Sequence, residues 1–531
     1  MKKKGSDAMK PKIRKERTVR LLSNSRRRFF RVVFSRLGII SLLFLFNACV
    51  FLAGFFWIEE YLPHFFGGSA VITAVFVLLV LNTDIDATAK ITWLVIIMLF
   101  PIMGGMFFIY TQSDLGHRAL KKRTAELSAA TWGLIPEDAR SESGCQNRDF
   151  ESIRAYLKNT GDFVCYSDSA VKYHKSGEDM HTALLKMLEG AEKFIFLEFF
   201  IISEGEMWGS VLEILSRKAA EGVEVRVLYD GTCEFTTLDR AYPKRLERLG
   251  IKCRSFSPIT PFVSTHYNYR DHRKIVIVDG RAAMTGGVNL SDEYINIGSR
   301  FGHWKDAAIS VYGNAVNSFT RIFLEMWHIN GKTLPDSSYF VKNEPAFKDG
   351  SYVIPYSDCP LDSYKTGERV YIDILNRARD YVYIMTPYLI LDGQMQTALT
   401  FAAERGVDVR LILPGIPDKR TAYALAKTHY KALVASGVKI YEYSPGFVHS
   451  KVFLADGNEA VVGSINLDYR SLYHHFECAA YIYGSSAISD IKADFESTFP
   501  QCREVSVQSI KKESPLMKLA GFLLKVIAPL M

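Results

Sequence analysis

The hydrophobic residues of the chain are arranged differently at its beginning and in its body. Three apolar stretches lie near the start, at residues 37–58, 65–81 and 91–110. The first and third contain no charged residue, and each is about 20 residues long, the length that crosses a hydrocarbon core of roughly 30 Å. The second is shorter. We therefore predict a membrane region at residues 37–115 with two or three transmembrane helices.

From residue 161 to residue 502, helical periodicity alternates with short runs of β-branched and aromatic residues. Residues 207–220 and 394–404 carry apolar side chains at helical spacing. Residues 274–278 and 451–454 have the composition of buried strands. Such alternation is typical of βαβ units and predicts an α/β fold with a mixed or parallel sheet.

The two halves of this body are similar in sequence to each other. Residues 191–196 recur as residues 378–383, and three further segments recur at offsets of 184 or 187 positions. A recurring segment order is explained most simply by two copies of one fold. We predict two pseudo-symmetric repeats, at 161–335 and 336–502, that form one body after a linker at 116–160.

The distribution of charge along the chain indicates contact with a membrane surface. The formal net charge is +8, but residues 1–36 hold fourteen Lys and Arg against Asp7 and Glu16, so the remaining chain is slightly acidic. A basic tail beside apolar sequence suits an anionic bilayer rather than nucleic acid. Residues 117–123 are basic too, and the positive-inside rule places both flanks in the cytoplasm. Two full crossings of the cell membrane, with a cytoplasmic body, satisfy this rule.

The C-terminal tail, residues 503–531, ends in an apolar stretch with isolated lysines, Lys518 and Lys525. This pattern predicts either an interfacial amphipathic helix or a helix packed on the body. The eight cysteines are scattered, with neither zinc spacing nor a paired pattern. The sequence therefore predicts no disulfide framework and no metal site.

The strongest chemical signal is a motif that occurs once in each repeat. Its pattern is His-x-Lys, four residues, Asp, six residues and Gly-[Gly/Ser]-x-Asn. The motif residues are His272, Lys274, Asp279 and Asn289 in the first copy, and His449, Lys451, Asp456 and Asn466 in the second. One copy can arise by chance, but two copies at equivalent points of a repeat indicate a function.

The spacing within each motif predicts a site. Residues two apart on a strand face the same side, so each histidine would stand beside its lysine. The glycines permit a close turn that returns the asparagine to the same place. Pairing the repeats would gather two His, two Lys and two Asn around one pocket, the groups needed to bind a phosphodiester, attack it and protonate a leaving group. Asp279 and Asp456 follow the strands, where they can serve either the turn or the chemistry.

This duplicated motif resembles the signature of the phospholipase D superfamily. The chain from about residue 37 onward is similar to the bacterial cardiolipin synthases of that superfamily, including residues 101–105, 197–201, 386–388 and 466–471. The resemblance implies an enzyme that joins two phosphatidylglycerol molecules into cardiolipin and releases glycerol. It also implies a lipid bilayer as partner and no metal or other cofactor.

The same resemblance implies roles for single residues. His272 would attack the phosphorus, and His449 would protonate the departing glycerol and then deprotonate the second alcohol. The motif lysines and asparagines would stabilise the charge on the phosphoryl oxygens. An acidic residue beyond each motif would orient a histidine, and Asp306 and Glu477 stand at those places.

Other members of the superfamily provide alternative functions, because nucleases, hydrolytic phospholipases D and phosphatidylserine synthases share the double motif. The apolar segments and the slightly acidic body disfavour a nuclease, and no nucleic acid partner is expected. A hydrolase differs only in that water replaces the second alcohol, which the motifs do not distinguish. A non-catalytic membrane scaffold is disfavoured because both motifs keep every chemical group.

The repeats differ in the segment that precedes each motif. Thirteen residues separate Pro258 from His272, whereas three separate Pro445 from His449. The longer loop, residues 259–271, is rich in aromatic side chains. We predict that it contacts lipid at the mouth of the site.

Overall fold

The computed structural model describes residues 69–112, 117–140, 145–258, 269–298, 300–344 and 351–530. The basic tail, the first apolar stretch and residues 259–268 of the aromatic loop lie outside the described residues. The predictions made for those segments remain predictions.

The described part of the chain opens with four helices: α1 Ser69–Asn82, α2 Ala87–Leu99, α3 Pro101–Gln112 and α4 His117–Trp132. The apolar stretch at residues 91–110 is divided between two helices, because α2 ends at Leu99 and α3 begins at Pro101. Proline has no N–H for the helical ladder, and its ring disfavours helical backbone at the preceding residue. Among the described residues, no helix has both the length and the apolar character needed to cross a bilayer.

Helices α1 to α3 pack around a small apolar cluster of Val80, Trp93, Ile97 and Phe108. Their outer faces nevertheless expose many large apolar side chains. These are Val71, Val75, Leu78, Leu79, Leu81, Ile91, Met98, Leu99, Phe100, Met106, Phe107, Ile109 and Tyr110. Large apolar side chains exposed in this number are typical of an interaction face.

The first repeat alternates strands with helices, as predicted. Its strands are β1 Ala170–His174, β2 Phe194–Phe199, β3 Glu224–Asp230, β4 Lys252–Phe256, β5 Arg270–Asp271, β6 Lys274–Val278, β7 Ala282–Gly286, β8 His303–Lys305 and β9 Ala308–Tyr312. The helices before and within it are α5 Arg148–Gly161, α6 Gly177–Glu189, α7 Glu206–Ala220, α8 Cys233–Thr236, α9 Tyr242–Glu247 and α10 Val316–His328. Short 3-10 turns cover Glu137–Ala139, Asp292–Ile295 and Ser337–Tyr339.

The second repeat is built in the same way. Its strands are β10 Tyr352–Asp358, β11 Tyr381–Met385, β12 Asp408–Pro414, β13 Lys439–Tyr443, β14 Gly446–Val448, β15 Val452–Ala455, β16 Glu459–Gly463, β17 His475–Tyr483 and β18 Cys502–Glu504. The helices in and after it are α11 Thr366–Arg377, α12 Gly393–Glu404, α13 Arg420–Ala435, α14 Tyr469–Tyr473, α15 Ala487–Thr498, α16 Val507–Lys511 and α17 Pro515–Ile527. Short 3-10 turns cover Phe499–Gln501 and Ala528–Leu530.

The order of strands in the two main sheets confirms the predicted duplication. The first sheet runs β1-β9-β7-β6-β2-β3-β4, and the second runs β10-β17-β16-β15-β11-β12-β13 before the added strand β18. Strands β2, β3 and β4 are parallel to one another in the first sheet, and β11, β12 and β13 are parallel in the second. The other neighbouring strands in both sheets are antiparallel, beginning with β6 beside β2 and β15 beside β11. The prediction of an α/β fold with a mixed sheet is confirmed.

Two short parallel pairings connect one repeat to the other. Strand β5 of the first repeat pairs with β17 of the second, and β14 of the second pairs with β8 of the first. One apolar core cluster also contains side chains from both repeats, among them Phe196, Phe323, Leu454 and Phe495. The two repeats therefore form one body.

The C-terminal helix α17 is packed on the body, which is one of the two arrangements predicted for this tail. Gly521 lies so close to α13 that an added Cβ would stand 2.6 Å from the carbonyl oxygen of Ala424. The opposite face of α17 exposes Leu516, Phe522 and Leu523. The helix is thus packed on the body along one face and presents an apolar face to its surroundings.

Close packing between strands β16 and β17 provides a test of the fold. A Cβ at Gly463 would stand 2.4 Å from both the carbonyl oxygen of Cys478 and the Cβ of Ala479. Gly463→Ala should therefore lower the free energy of unfolding by about 1–3 kcal/mol, the usual effect of overpacking. Chemical denaturation of the purified protein measures this change.

Gly209 is the matched control for this substitution, since nothing lies within 4 Å of a Cβ built at that position of α7. Gly209→Ala should leave stability unchanged or raise it by up to about 1 kcal/mol, because alanine favours helix. Equal stability of the two variants would contradict the packing described for Gly463.

Candidate active site

The two motifs meet at one cavity of about 1060 Å³. His272 stands between β5 and β6, and His449 stands between β14 and β15. Both histidines line the cavity together with Asn289 and Asn466. The predicted convergence on one pocket is thus present for the histidines and the asparagines.

Each motif histidine is bonded to a carboxylate from the other repeat. Nδ1 of His272 lies 2.9 and 3.1 Å from the two carboxylate oxygens of Glu477. Nδ1 of His449 lies 2.7 Å from Oδ2 of Asp306. The sequence suggested these two acids as orienting groups but did not indicate that they would act across the repeats.

The short strand pairs between the repeats create this exchange. The backbone N–H of His272 donates to the carbonyl of Phe476, and that of His449 donates to the carbonyl of Lys305. Glu477 and Asp306 are the residues that follow these two carbonyls. Each carboxylate therefore reaches its histidine through backbone register and does not depend on a long side chain.

A carboxylate at Nδ1 fixes the tautomer of an imidazole, because Nδ1 carries the proton that the carboxylate accepts and Nε2 keeps a lone pair. Burial, with Lys274 and Lys451 nearby, holds the pKa of His272 well below its ordinary value. Burial and the charge of Lys451 lower the pKa of His449 to about 4. Both imidazoles are thus neutral near pH 7, the form in which a histidine can attack phosphorus.

The two motif lysines are buried beside the histidines. Each Nζ donates to the backbone carbonyl of the histidine in its own motif. Burial lowers the pKa of Lys274 to about 7 and that of Lys451 to about 8, although Glu477 and Asp306 oppose this effect. Such poorly solvated ammonium groups interact strongly with an anion that enters the cavity.

The two asparagines that line the cavity differ in their hydrogen bonding. Oδ1 of Asn289 accepts from the backbone N–H of Ile201 at 3.0 Å, and its Nδ2 donates to the hydroxyl of Tyr294 at 2.7 Å. Oδ1 of Asn466 is buried and has no hydrogen-bond partner among the described residues. Asn289 is held by the protein, whereas the acceptor of Asn466 is available to a ligand.

The motif aspartates lie outside the cavity and serve the fold. The Asp279 carboxylate accepts from the backbone N–H groups of Glu192, Lys193 and Phe194. Asp456 does the same in the other repeat, with Arg379, Asp380 and Tyr381. Asp279 follows Lys274 by five positions along an extended strand, so the Cα atoms of the two residues lie roughly 16 Å apart. The geometry therefore does not support a direct catalytic part for either aspartate.

Sequence reasoning missed two ring side chains that stand beside the histidines. The ring centroid of His475 lies 5.2 Å from that of His272, and the ring centroid of Trp304 lies 5.5 Å from that of His449. Both line the cavity. Repeat symmetry could have indicated them, since each stands two residues before an orienting acid.

Among the described residues, one group of three side chains could hold a metal ion, namely His272, His475 and Glu477. Their ligand atoms lie within 4.8 Å of one another. Lys274 and Lys451 act on the same imidazole, and their positive charge opposes a divalent cation at this point.

Comparison with known proteins identifies the family. Residues 184–327 and 371–499 match the family model described as cardiolipin synthase, PLD-like domain. A cardiolipin synthase of Alkalihalophilus pseudofirmus is 30% identical over 455 residues, which cover 84% of this chain and 89% of that protein. The chain belongs to the cardiolipin synthase family. It is therefore a phosphatidyltransferase with a phospholipase D-like fold.

One further protein and one solved structure are similar to this chain over much of its length. An uncharacterized protein of Streptococcus mutans is 53% identical over 460 residues, 86% of this chain and 99% of that one. The crystal structure of a phosphatidylserine synthase of Haemophilus influenzae aligns with a TM-score of 0.54 at 14% identity, over 72% of this chain and 98% of that one. At that identity, the likeness shows a shared fold alone.

The hydrogen bonds from three backbone N–H groups to the Asp456 carboxylate predict that removing this side chain lowers stability but leaves catalytic activity intact. Asp456→Ala should lower the free energy of unfolding by about 3 kcal/mol, because three charge-assisted hydrogen bonds disappear. Turnover per folded molecule should change less than threefold. Denaturation and activity measured on the same preparation separate the two effects. The exposed Asp490 in α15 is the control. Asp490→Ala should change neither the free energy of unfolding nor the turnover per folded molecule. A stable but inactive Asp456→Ala protein would contradict the structural part.

The lowered pKa values of the lysines predict a pH dependence. The lowered pKa is about 7 for Lys274 and about 8 for Lys451. Each lysine is charged below its own pKa and loses that charge above it. The apparent kcat/KM should therefore fall as the pH rises from 7 to 9.5. Lys451→Arg keeps its charge throughout this range, so its profile should fall less steeply even if its maximum is lower. A wild-type profile that stays flat to pH 9.5 would contradict this electrostatic account.

Proposed function

We propose that this enzyme is a cardiolipin synthase, which transfers a phosphatidyl group from one phosphatidylglycerol to another and releases glycerol. The observation that carries the proposal is the pair of neutral imidazoles at one cavity, each held at Nδ1 by a carboxylate of the other repeat. A buried lysine lies beside each of these histidines. Family relatives named cardiolipin synthase support the choice of lipid.

In the first step, Nε2 of His272 attacks the phosphorus of the donor lipid. The phosphorus–nitrogen bond forms while the bond from phosphorus to the glycerol oxygen breaks. The anionic phosphodiester between the imidazoles raises the pKa of His449, which takes up a proton and passes it to the departing oxygen. Lys274, Lys451 and the Nδ2 amide group of Asn466 stabilise the charge on the phosphoryl oxygens.

In the second step, the terminal hydroxyl of the acceptor phosphatidylglycerol gives its proton to His449. Its oxygen bonds to the phosphorus, the phosphorus–nitrogen bond breaks, and His272 returns to its neutral form. Asp306 stabilises the imidazolium that His449 becomes. Burial opposes the charged form of Asp306, but His449 and Lys451 outweigh it and hold the pKa of this carboxyl below its ordinary value.

The proposal places the enzyme on the cell membrane, anchored by its N-terminal apolar segments, with the body on the cytoplasmic side. The exposed apolar side chains of α1 to α3 and α17 support a bilayer as partner. The Thr92 hydroxyl of α2 donates to the carbonyl of Val526 in α17 at 2.6 Å, so the two helices are in contact. Ala528, just beyond α17, lines the catalytic cavity.

Product analysis tests the reaction. The purified protein, incubated with vesicles of labelled phosphatidylglycerol, should produce cardiolipin and an equal amount of glycerol. Phosphatidic acid as the main product would instead indicate a hydrolytic phospholipase D. Absence of any turnover would contradict a phosphatidyltransferase of this substrate.

The same assay separates the roles of the two histidines. His272→Ala and His449→Ala should each lower kcat by about 10³-fold or more. Only His449→Ala keeps the nucleophile, so it alone should accumulate a phosphatidyl-enzyme that mass spectrometry detects. His181, which bonds Ser210 outside the cavity, is the matched control, and His181→Ala should retain turnover. A covalent adduct on His272→Ala would reverse the assignment.

A further inference from the structure

A third imidazole lies in the cavity, and the proposed reaction does not use it. His475 begins strand β17, pairs in register with Arg270 and lines the cavity beside His272. Only 7% of its surface is exposed. A polar side chain held at this place is positioned to contact whatever occupies the cavity.

Neither ring nitrogen of His475 has a hydrogen-bond partner among the described residues. The carboxylate nearest to it belongs to Glu477, whose Oε1 lies 3.6 Å from Nδ1, just beyond bonding distance. Buried polar groups without a partner are rare and destabilising. The partner of this imidazole is therefore expected to come from the contents of the cavity.

The chemistry of that partner follows from the neighbours of the ring. A carboxylate accepts hydrogen bonds, so Glu477 favours the tautomer with the proton on Nδ1, and Nε2 is left as an acceptor. Burial lowers the pKa of His475 to about 3, which keeps the ring neutral. Oδ1 of Asn466, also on the cavity wall, is a second acceptor without a partner.

Two unpartnered acceptors on the wall distinguish between possible ligand groups. The oxygens of an ionised phosphodiester accept hydrogen bonds and carry no proton, so they cannot satisfy Nε2 of His475 or Oδ1 of Asn466. A hydroxyl can donate to either. The corresponding residue of the first repeat, Trp304, can only donate, so the acceptor is particular to the His475 position.

We propose that His475, together with Asn466, binds the free hydroxyls of the glycerol headgroup and selects a polyol phosphodiester over one that lacks hydroxyls. The inference rests on the proposed function, because it concerns the headgroup of the same lipid in the same cavity. A site that bonds a substrate hydroxyl discriminates against the analogue without it, since the acceptor on the protein is then left unpaired.

Two donor lipids with the same acyl chains test the proposal, namely phosphatidylglycerol and phosphatidylpropanol, whose headgroup has no free hydroxyl. Release of the headgroup is followed in a single turnover with enzyme in excess, so that no acceptor lipid is needed. The wild-type enzyme should release glycerol at least about tenfold faster than propanol, the effect of one lost hydrogen bond.

His475→Phe should reduce this preference to less than threefold by slowing glycerol release, while propanol release stays within threefold of the wild type. His475→Gln keeps an acceptor and should restore part of the preference. The adjacent His474 is the matched control, since it does not line the cavity, and His474→Phe should keep the wild-type preference.

Equal slowing of both donors by His475→Phe, or an undiminished preference in that variant, would overturn the proposal. The wild-type comparison needs no variant, so glycerol release without any preference over propanol would also overturn it while leaving the proposed function intact. Release of neither headgroup by the wild-type enzyme would refute the proposed function and this inference together.

Discussion

The hydrogen bond from each histidine to a carboxylate of the other repeat is the interaction on which the site depends. His272 without Glu477, or His449 without Asp306, would have no fixed tautomer and no defined direction for Nε2. The same carboxylates, buried without their histidines and lysines, would be uncompensated charges in an apolar body. Neither repeat can therefore form half of this site alone, and the pairing of β5 with β17 and of β14 with β8 is as necessary as the motifs themselves.

Charge among the groups around the two motif histidines is balanced before any substrate enters. Two carboxylates face two lysines, and the two imidazoles between them are neutral because burial disfavours their charged forms. An arriving phosphodiester adds one negative charge, which favours protonation of Lys274, Lys451 and one imidazole. Under the proposed mechanism, the substrate thereby creates the general acid that its own leaving group requires, and no permanently charged histidine has to be buried.

The sequence predicted what is duplicated and missed what depends on contacts between the repeats. The repeats, the motif strands and the convergence of both histidines could be predicted from local patterns that occur twice. The partner of each histidine could not be predicted from local patterns, because Glu477 reaches His272 through strand pairing between segments about two hundred residues apart. Asp279 belongs to the motif, yet its role depends on three backbone amides that no spacing reveals. Pro101 stands in an apolar run whose hydropathy hides the end of a helix.

The position of the cavity constrains how a lipid can reach the histidines. A cavity of about 1060 Å³ has the size of sites for drug-sized ligands, so two diacyl lipids cannot lie inside it whole. Under the proposed function, only headgroups enter, and the acyl chains stay outside. Helix α17 contacts α2 and leads to Ala528 at the cavity wall. The exposed apolar side chains of α17 can therefore accept those chains close to the phosphoryl site.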